Sequence, residues 1–240
     1  MDACGAKLCV IPTRSDYVAM PRVIQQQASR ARTMKRAALG VRTHSGWAVI
    51  VALAGTTRSP EVIDRRRIEN ADPGIRGSKQ PYHAVEMLEL RQAEEHLKRC
   101  ADRTKAMTRQ AFRMALGELE TRGYSVRGCG LLLGSGRPLP ALSAILASHP
   151  LLHTAEGEFY RNAIRDAGEY CGLKVAGVKE REIYERAAAA LRVPGPDLRR
   201  RLDEMGKSIG PPWRQDEKLA ALVAWLVLAG AARSSFPEFR

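Results

Sequence analysis

At 240 residues with 45% hydrophobic content, the chain is long enough for one large domain, or a domain with an appendage, around a normal core. Its longest apolar runs, Trp47 to Ala54 and Leu219 to Ala232, are shorter than the about 18–20 residues that cross a bilayer, so no membrane span is predicted. Lys and Arg number 39 against 26 Asp and Glu, a formal net charge of +13, which favours polyanionic partners such as nucleic acid or an anionic surface.

The N-terminal sequence MDACGAKLCVIPTRSDY has no basic region leading into an apolar core and cleavage site, and a cytoplasmic address is expected. Residues 1–38 read as a basic N-terminal extension that carries Arg14, Arg22, Arg30, Arg32, Lys35 and Arg36. It is either an arm that contacts a partner or a loose terminus. Cys4, Cys9, Cys100, Cys129 and Cys171 are odd in number and form no CxxC pair; neither a disulfide framework nor a zinc-finger type of site is expected. Cys129 and Cys171 read as small buried hydrophobes.

Gly40 to Gly55 organises the rest. Trp47 to Ala54 is apolar at every position and rich in β-branched residues, which predicts a first strand covered on both faces. Gly55 to Pro60 is a turn, and Glu61 to Ile68 is a second, antiparallel strand whose charges at Asp64 to Arg67 suit a sheet edge. Residues 70–81 are loop composition with room for a very short third strand. Tyr82 to Arg122 is helical, either one long projecting helix or a bent pair. Tyr124 to Leu133 is a central strand, ended by Gly134-Ser135-Gly136-Arg137-Pro138. Helices are predicted over Pro140–Ser148 and Thr154–Tyr170, then a short strand over Leu173–Val178. Helices follow from Glu180 to Leu191, Asp197 to Ser208, and Gln215 to Ala229. Strands alternating with helices after a hairpin give a mixed α/β sheet covered by helices, over residues 39–232, with 233–240 as a tail.

This layout resembles the RNase H-like fold, and within it the RuvC-type resolvase-like proteins, over about residues 38 to 232. The resemblance implies a two-metal nuclease, in which clustered carboxylates hold Mg²⁺ or Mn²⁺ and activate water. Residue by residue the match is incomplete. The Gly-hydrophobic pair of the first strand is Gly40-Val41, but Arg42 stands where the acid would be. Gly134-Ser135-Gly136 replaces a second acid. The closing-helix acid is matched by Asp216, beside Glu217; Glu156 and Glu158 lie on a helix of matching position. The implied metal ligands are therefore Glu158 and Asp216, in a degenerate site.

Four residues are candidate catalytic groups: His44, Glu156, Glu158 and Asp216. His44 is either a base at the strand-end crevice or a turn residue bonded to backbone. His149 and His153 would share a face as metal ligands on a continuous helix, but Pro150 argues against continuity, and His153-Thr154 reads as a helix start. The loop with Ser135 and Arg137 is either a phosphate cradle or a plain connection. Trp47, Trp213 and Trp225 are expected in the core. Arg65, Arg66, Arg67, Arg137, Arg199, Arg200 and Arg201 are the expected phosphate contacts. The resulting expectation is a nucleic-acid-associated protein without the family's nuclease activity. The alternatives are an enzyme for an anionic small molecule near His44, Ser135, Glu156 and Asp216, and a partner-binding module built on the long helix.

Overall fold

The computed structural model describes residues 34–134 and 138–232; the expected N-terminal arm through residue 33, Ser135, Arg137 and the tail lie outside them. Three strands come first: β1 (Lys35–His44), β2 (Trp47–Gly55) and β3 (Pro60–Glu69). A helix α1 (Leu90–Thr121) leads to β4 (Tyr124–Leu133), and α2 (Leu142–Leu146) with α3 (His149–Tyr170) leads to β5 (Val175–Lys179). Helices α4 (Ile183–Leu191), α5 (Gly195–Ile209) and α6 (Gln215–Leu228) complete the chain. The sheet order is β3-β2-β1-β4-β5. β1 pairs antiparallel with β2 and parallel with β4, β2 pairs antiparallel with β3, and β4 pairs parallel with β5. These are the order and directions of the RNase H-like fold.

The central strand differs from the expected one. Trp47–Gly55 is the second strand, and β1, which precedes it, sits in the middle of the sheet. Its first residues, 35–38, had been expected in the N-terminal extension. The reason is visible in the sequence KRAALGVRTH, where the face towards α6 carries Ala38 and Gly40 instead of large apolar groups. A β-carbon on Gly40 would lie 1.9 Å from the Ala220 carbonyl oxygen, and one on Gly130 would lie 2.6 Å from a Val223 methyl. Gly40 and Gly130 are register partners on neighbouring strands, so together they form a side-chain-free seat into which α6 sinks. No short strand forms within residues 70–81.

The two faces of the sheet follow from alternation along β2. Val49, Val51 and Leu53 join α4, α5 and α6 in one core, while Ala48, Ile50 and Ala52 join α1 and α3 in the other. Helix α6 is buried on nearly every side, from Glu217 through Leu226; such all-round apolarity belongs to a helix wrapped by other elements. Trp225 is fully buried and donates its indole N–H to the Thr57 carbonyl at 2.9 Å. Trp213 covers Gly206 and donates to the Leu202 carbonyl at 2.7 Å; Trp225 is a core residue as expected, whereas Trp213 is only partly buried and packs against that core.

The long segment 82–122 resolves into a turn at His83–Val85 and a single helix. Over its 32 residues α1 extends for about 48 Å, and Ala93, Cys100, Thr104, Thr108, Phe112, Ala115 and Leu119 make its buried stripe. Cys129 is fully buried in β4, where burial pushes its thiol up to about 12, so it is an inert hydrophobe. Among the described residues no helix is long and apolar enough to cross a membrane.

Candidate functional site

The carboxyl ends of β1 and β5 and the first turn of α6 meet on the α6 face of the sheet. Arg42 and His44 are two apart on β1 and share that face, because Arg42 is the register partner of Val49. Asp216 is at the start of α6, where the helix dipole favours a carboxylate. Glu180 lies immediately beyond β5. Arg42 donates from Nε to Glu180 Oε2 at 3.1 Å and from Nη2 to Glu180 Oε1 at 2.7 Å, a bidentate fork. Its Nη1 also donates to Asp216 Oδ1, the same oxygen that faces His44 Nε2 at 2.9 Å. One guanidinium thus joins two acids, and an imidazole closes the group from the other side.

The side chains of Arg42, His44 and Asp216 are 20%, 32% and 24% exposed, so the network is partly shielded from water. Burial alone would push the Asp216 carboxyl up, but the hydrogen bonds from His44 and Arg42 and their charges hold it below the ordinary carboxylate value. Burial lowers the Arg42 guanidinium, and Glu180 and Asp216 more than compensate, leaving it raised.

Beside this network His44 stacks on Trp47, with ring centroids 4.1 Å apart and planes 13° from parallel. Arg67 reaches the same indole, 4.0 Å from its centroid. Trp47 is therefore only partly buried: it packs on the core beneath while carrying two polar groups. A cleft lined by Trp47, Val49, Arg65, Arg66, Arg67, Pro212 and Arg214 reaches Asp216 and Glu217. Glu217 is buried and accepts the Arg214 backbone N–H at 2.7 Å, capping α6.

The other two candidate acids are elsewhere. Glu156 and Glu158 lie on α3, on the opposite side of the sheet from α6. Glu158 pairs with Arg161, whose Nε and Nη2 are 3.0 and 2.9 Å from Oε1. Glu158 and Asp216 thus do not share a site, and neither do His44 and Glu156. Acids two apart on a helix point in different directions, which is why Glu156 takes a separate partner.

That partner is His83, on the turn before α1. Its Nδ1 is 2.8 Å from Glu156 Oε1, and its backbone N–H donates to the same oxygen at 3.3 Å. Glu156 is 2% exposed. His149 and His153 gather at the same place, with their Nε2 atoms 3.0 Å apart. The His83 ring lies 5.4 Å from that of His149 and 4.8 Å from that of His153, measured between centroids. Pro150 does not interrupt this arrangement: α3 begins at His149, so the proline occupies the first turn, where its missing N–H has no intrahelical partner to lose. His149 and His153 therefore share one helix face.

The expected phosphate-contacting arginines are dispersed. Arg65 donates to the carbonyls of Gly210, Pro211 and Pro212, bracing the loop before α6. Arg66 bonds Asp64 at 2.7 Å and Glu118 at 2.8 Å, and Asp64 above all holds its guanidinium well above the ordinary value. Arg67 bonds Glu69 at 2.8 Å. Arg199 lies over the Tyr184 ring, and Arg200 pairs with Asp197 and Glu204. Arg201 lines a separate groove with Arg58, Glu61 and Glu204.

Sequence reasoning missed Glu180 and His83. Glu180 carried a usable signal, an acid one residue past a strand that runs parallel to the sheet centre, where ligands of open α/β sheets gather. His83, in an irregular segment remote from α3, carried none.

No family model matches this chain, and no curated protein does. Among solved structures, a Thermus thermophilus RuvC is similar at 9% identity with a TM-score of 0.46, covering 82% of this chain and 98% of the other. T. thermophilus RuvC in complex with a Holliday junction substrate aligns at 11% identity, with a TM-score of 0.44 and the same two coverages. An Aquifex aeolicus member of the Ppx/GppA family aligns at 10% identity and a TM-score of 0.32, covering 66% of this chain and 40% of that one.

Proposed function

We propose that this chain is a nucleic-acid-associated protein of RNase H-like fold whose strand-end site is held together by an arginine instead of by metal ions. The observation that carries this reading is Arg42, whose guanidinium lies between Glu180 and Asp216. A two-metal hydrolase needs carboxylates free to take divalent cations. Here both acids already lean on a cation fixed covalently to β1, and His44 occupies the same Asp216 oxygen. A Mg²⁺ or Mn²⁺ ion at this point would have to displace a guanidinium and then sit beside its positive charge. The remaining donor set fits such an ion poorly, so no step of water activation is assigned to it.

Binding is supported by the net charge of +13 and by the cleft beside Asp216, which combines several guanidiniums with the edge of Trp47. That combination suits a phosphate backbone and gives affinity with little sequence preference. The test is binding of labelled single- and double-stranded DNA and RNA across a salt series. A steep loss of affinity with salt is expected, and a flat or absent response overturns the reading. A nuclease assay with Mg²⁺ or Mn²⁺ is expected to show no cleavage; cleavage that disappears in Asp216→Asn overturns the metal-free site.

A further inference from the structure

Three imidazoles from two distant segments converge on one point of the surface. Their ligand nitrogens all lie within 4.8 Å of one another, with His83 half-buried and His149 and His153 exposed. We propose that His83, His149 and His153 bind one divalent transition-metal ion of the zinc class, with Glu156 as the supporting carboxylate.

The hydrogen-bond pattern supports this assignment. Against the Glu156 carboxylate His83 Nδ1 is the donor, and in the neutral ring that binds a metal Nε2 carries the lone pair. Glu156 is nearly fully buried and also accepts the His83 backbone N–H. It therefore fixes both the tautomer and the ring plane, as outer-shell carboxylates do for metal-bound histidine. On α3, His149 and His153 are separated by one turn and bring their Nε2 atoms to 3.0 Å. Two imidazoles bonded to zinc at about 2.0–2.1 Å in tetrahedral geometry have their nitrogens about 3.3–3.4 Å apart. The helical pair is already near that spacing, and with His83 held by Glu156, side-chain rotation of the exposed His149 and His153 closes the remaining edges.

Neutral imidazoles select zinc, nickel, cobalt or copper over magnesium and calcium, which prefer oxygen. Three protein ligands leave a fourth, solvent-facing position for water or another small ligand. The site is on the α3 side of the sheet, apart from the Arg42 network, and does not depend on the function proposed for that network.

The experiment is calorimetric titration of the full, metal-stripped chain with Zn²⁺ alone, with Co²⁺ as a spectroscopic reporter of coordination. One Zn²⁺ per chain is expected, with a Co²⁺ visible spectrum of a four-coordinate site and no competition from excess Mg²⁺. The exposed substitutions His149→Ala and His153→Ala together should weaken Zn²⁺ at least a hundredfold while circular dichroism stays unchanged. Glu156→Gln should weaken it about 10–100-fold, in line with other outer-shell partners. If that buried variant fails to fold, His83→Ala provides the corresponding test. Absence of stoichiometric binding, or affinity reduced less than tenfold in the double variant, overturns the proposal.

Discussion

The two polar clusters of this protein, one on each side of its sheet, handle a carboxylate in opposite ways. At the α6 face, Asp216 and Glu180 share Arg42, so part of their negative charge is offset from within. At the α3 face, Glu156 is satisfied by the His83 ring and a backbone amide, and the other nitrogen of that ring is left for a different partner. The first cluster has its cation built in, and the second presents a set of nitrogen donors. The position of an acid in the fold therefore says little about metal binding until its partners are known.

The contrast can be broken by substitution, and the largest effect is expected at Gly40. Gly40→Ala puts a methyl into the backbone of α6, so overpacking should cost about 1–3 kcal/mol or more in urea unfolding. Zn²⁺ uptake at the histidine cluster should persist in that variant at temperatures where it stays folded, since the sheet separates the two sites. Next, Asp216→Asn removes the charge from one arm of the arginine network. A loss of about 1–2 kcal/mol is expected, reduced from the value of a fully buried charged hydrogen bond by partial solvent access.

The same pair has a defined pH signature. Asp216 has a folded value below its unfolded one, so its contribution is complete above about pH 4 and is lost as pH falls through the lower, folded value. The stability difference between wild type and Asp216→Asn should thus shrink on acidification below that point; a difference that grows there refutes the pairing. The smallest effect belongs to Arg91, which makes a solvated ion pair with Glu95 on α1. Arg91→Ala should leave the unfolding midpoint unchanged, a baseline against which the shielded network can be judged.

Legibility in the sequence followed side-chain volume. β4 matches its expected span of Tyr124–Leu133 because glycines bracket a dense apolar run. Helix α6 was legible because its apolar residues are continuous. β1 was hidden for a physical reason: where α6 presses closest, the strand has been stripped to Ala38 and Gly40, and a run of small residues has no hydrophobic period to read. Asp216 and His44 were both recognisable, yet their shared partner Arg42 was read only as a missing acid. The histidine cluster needed two facts that no local pattern holds, namely that Pro150 begins a helix and that a loop about 70 residues upstream returns to meet it.

The arginine triplet of β3 shows how a strand redistributes a charge that looks concentrated on paper. Arg65 and Arg67 oppose Val51 and Val49, while Arg66 opposes Ile50, so consecutive guanidiniums leave the ribbon on different sides. One is spent clasping peptide oxygens, another is clamped between acids, and the third rests on an indole. A polyanion sliding along this border would encounter single cations in succession, a weaker and more evenly graded attraction than the letters RRR suggest.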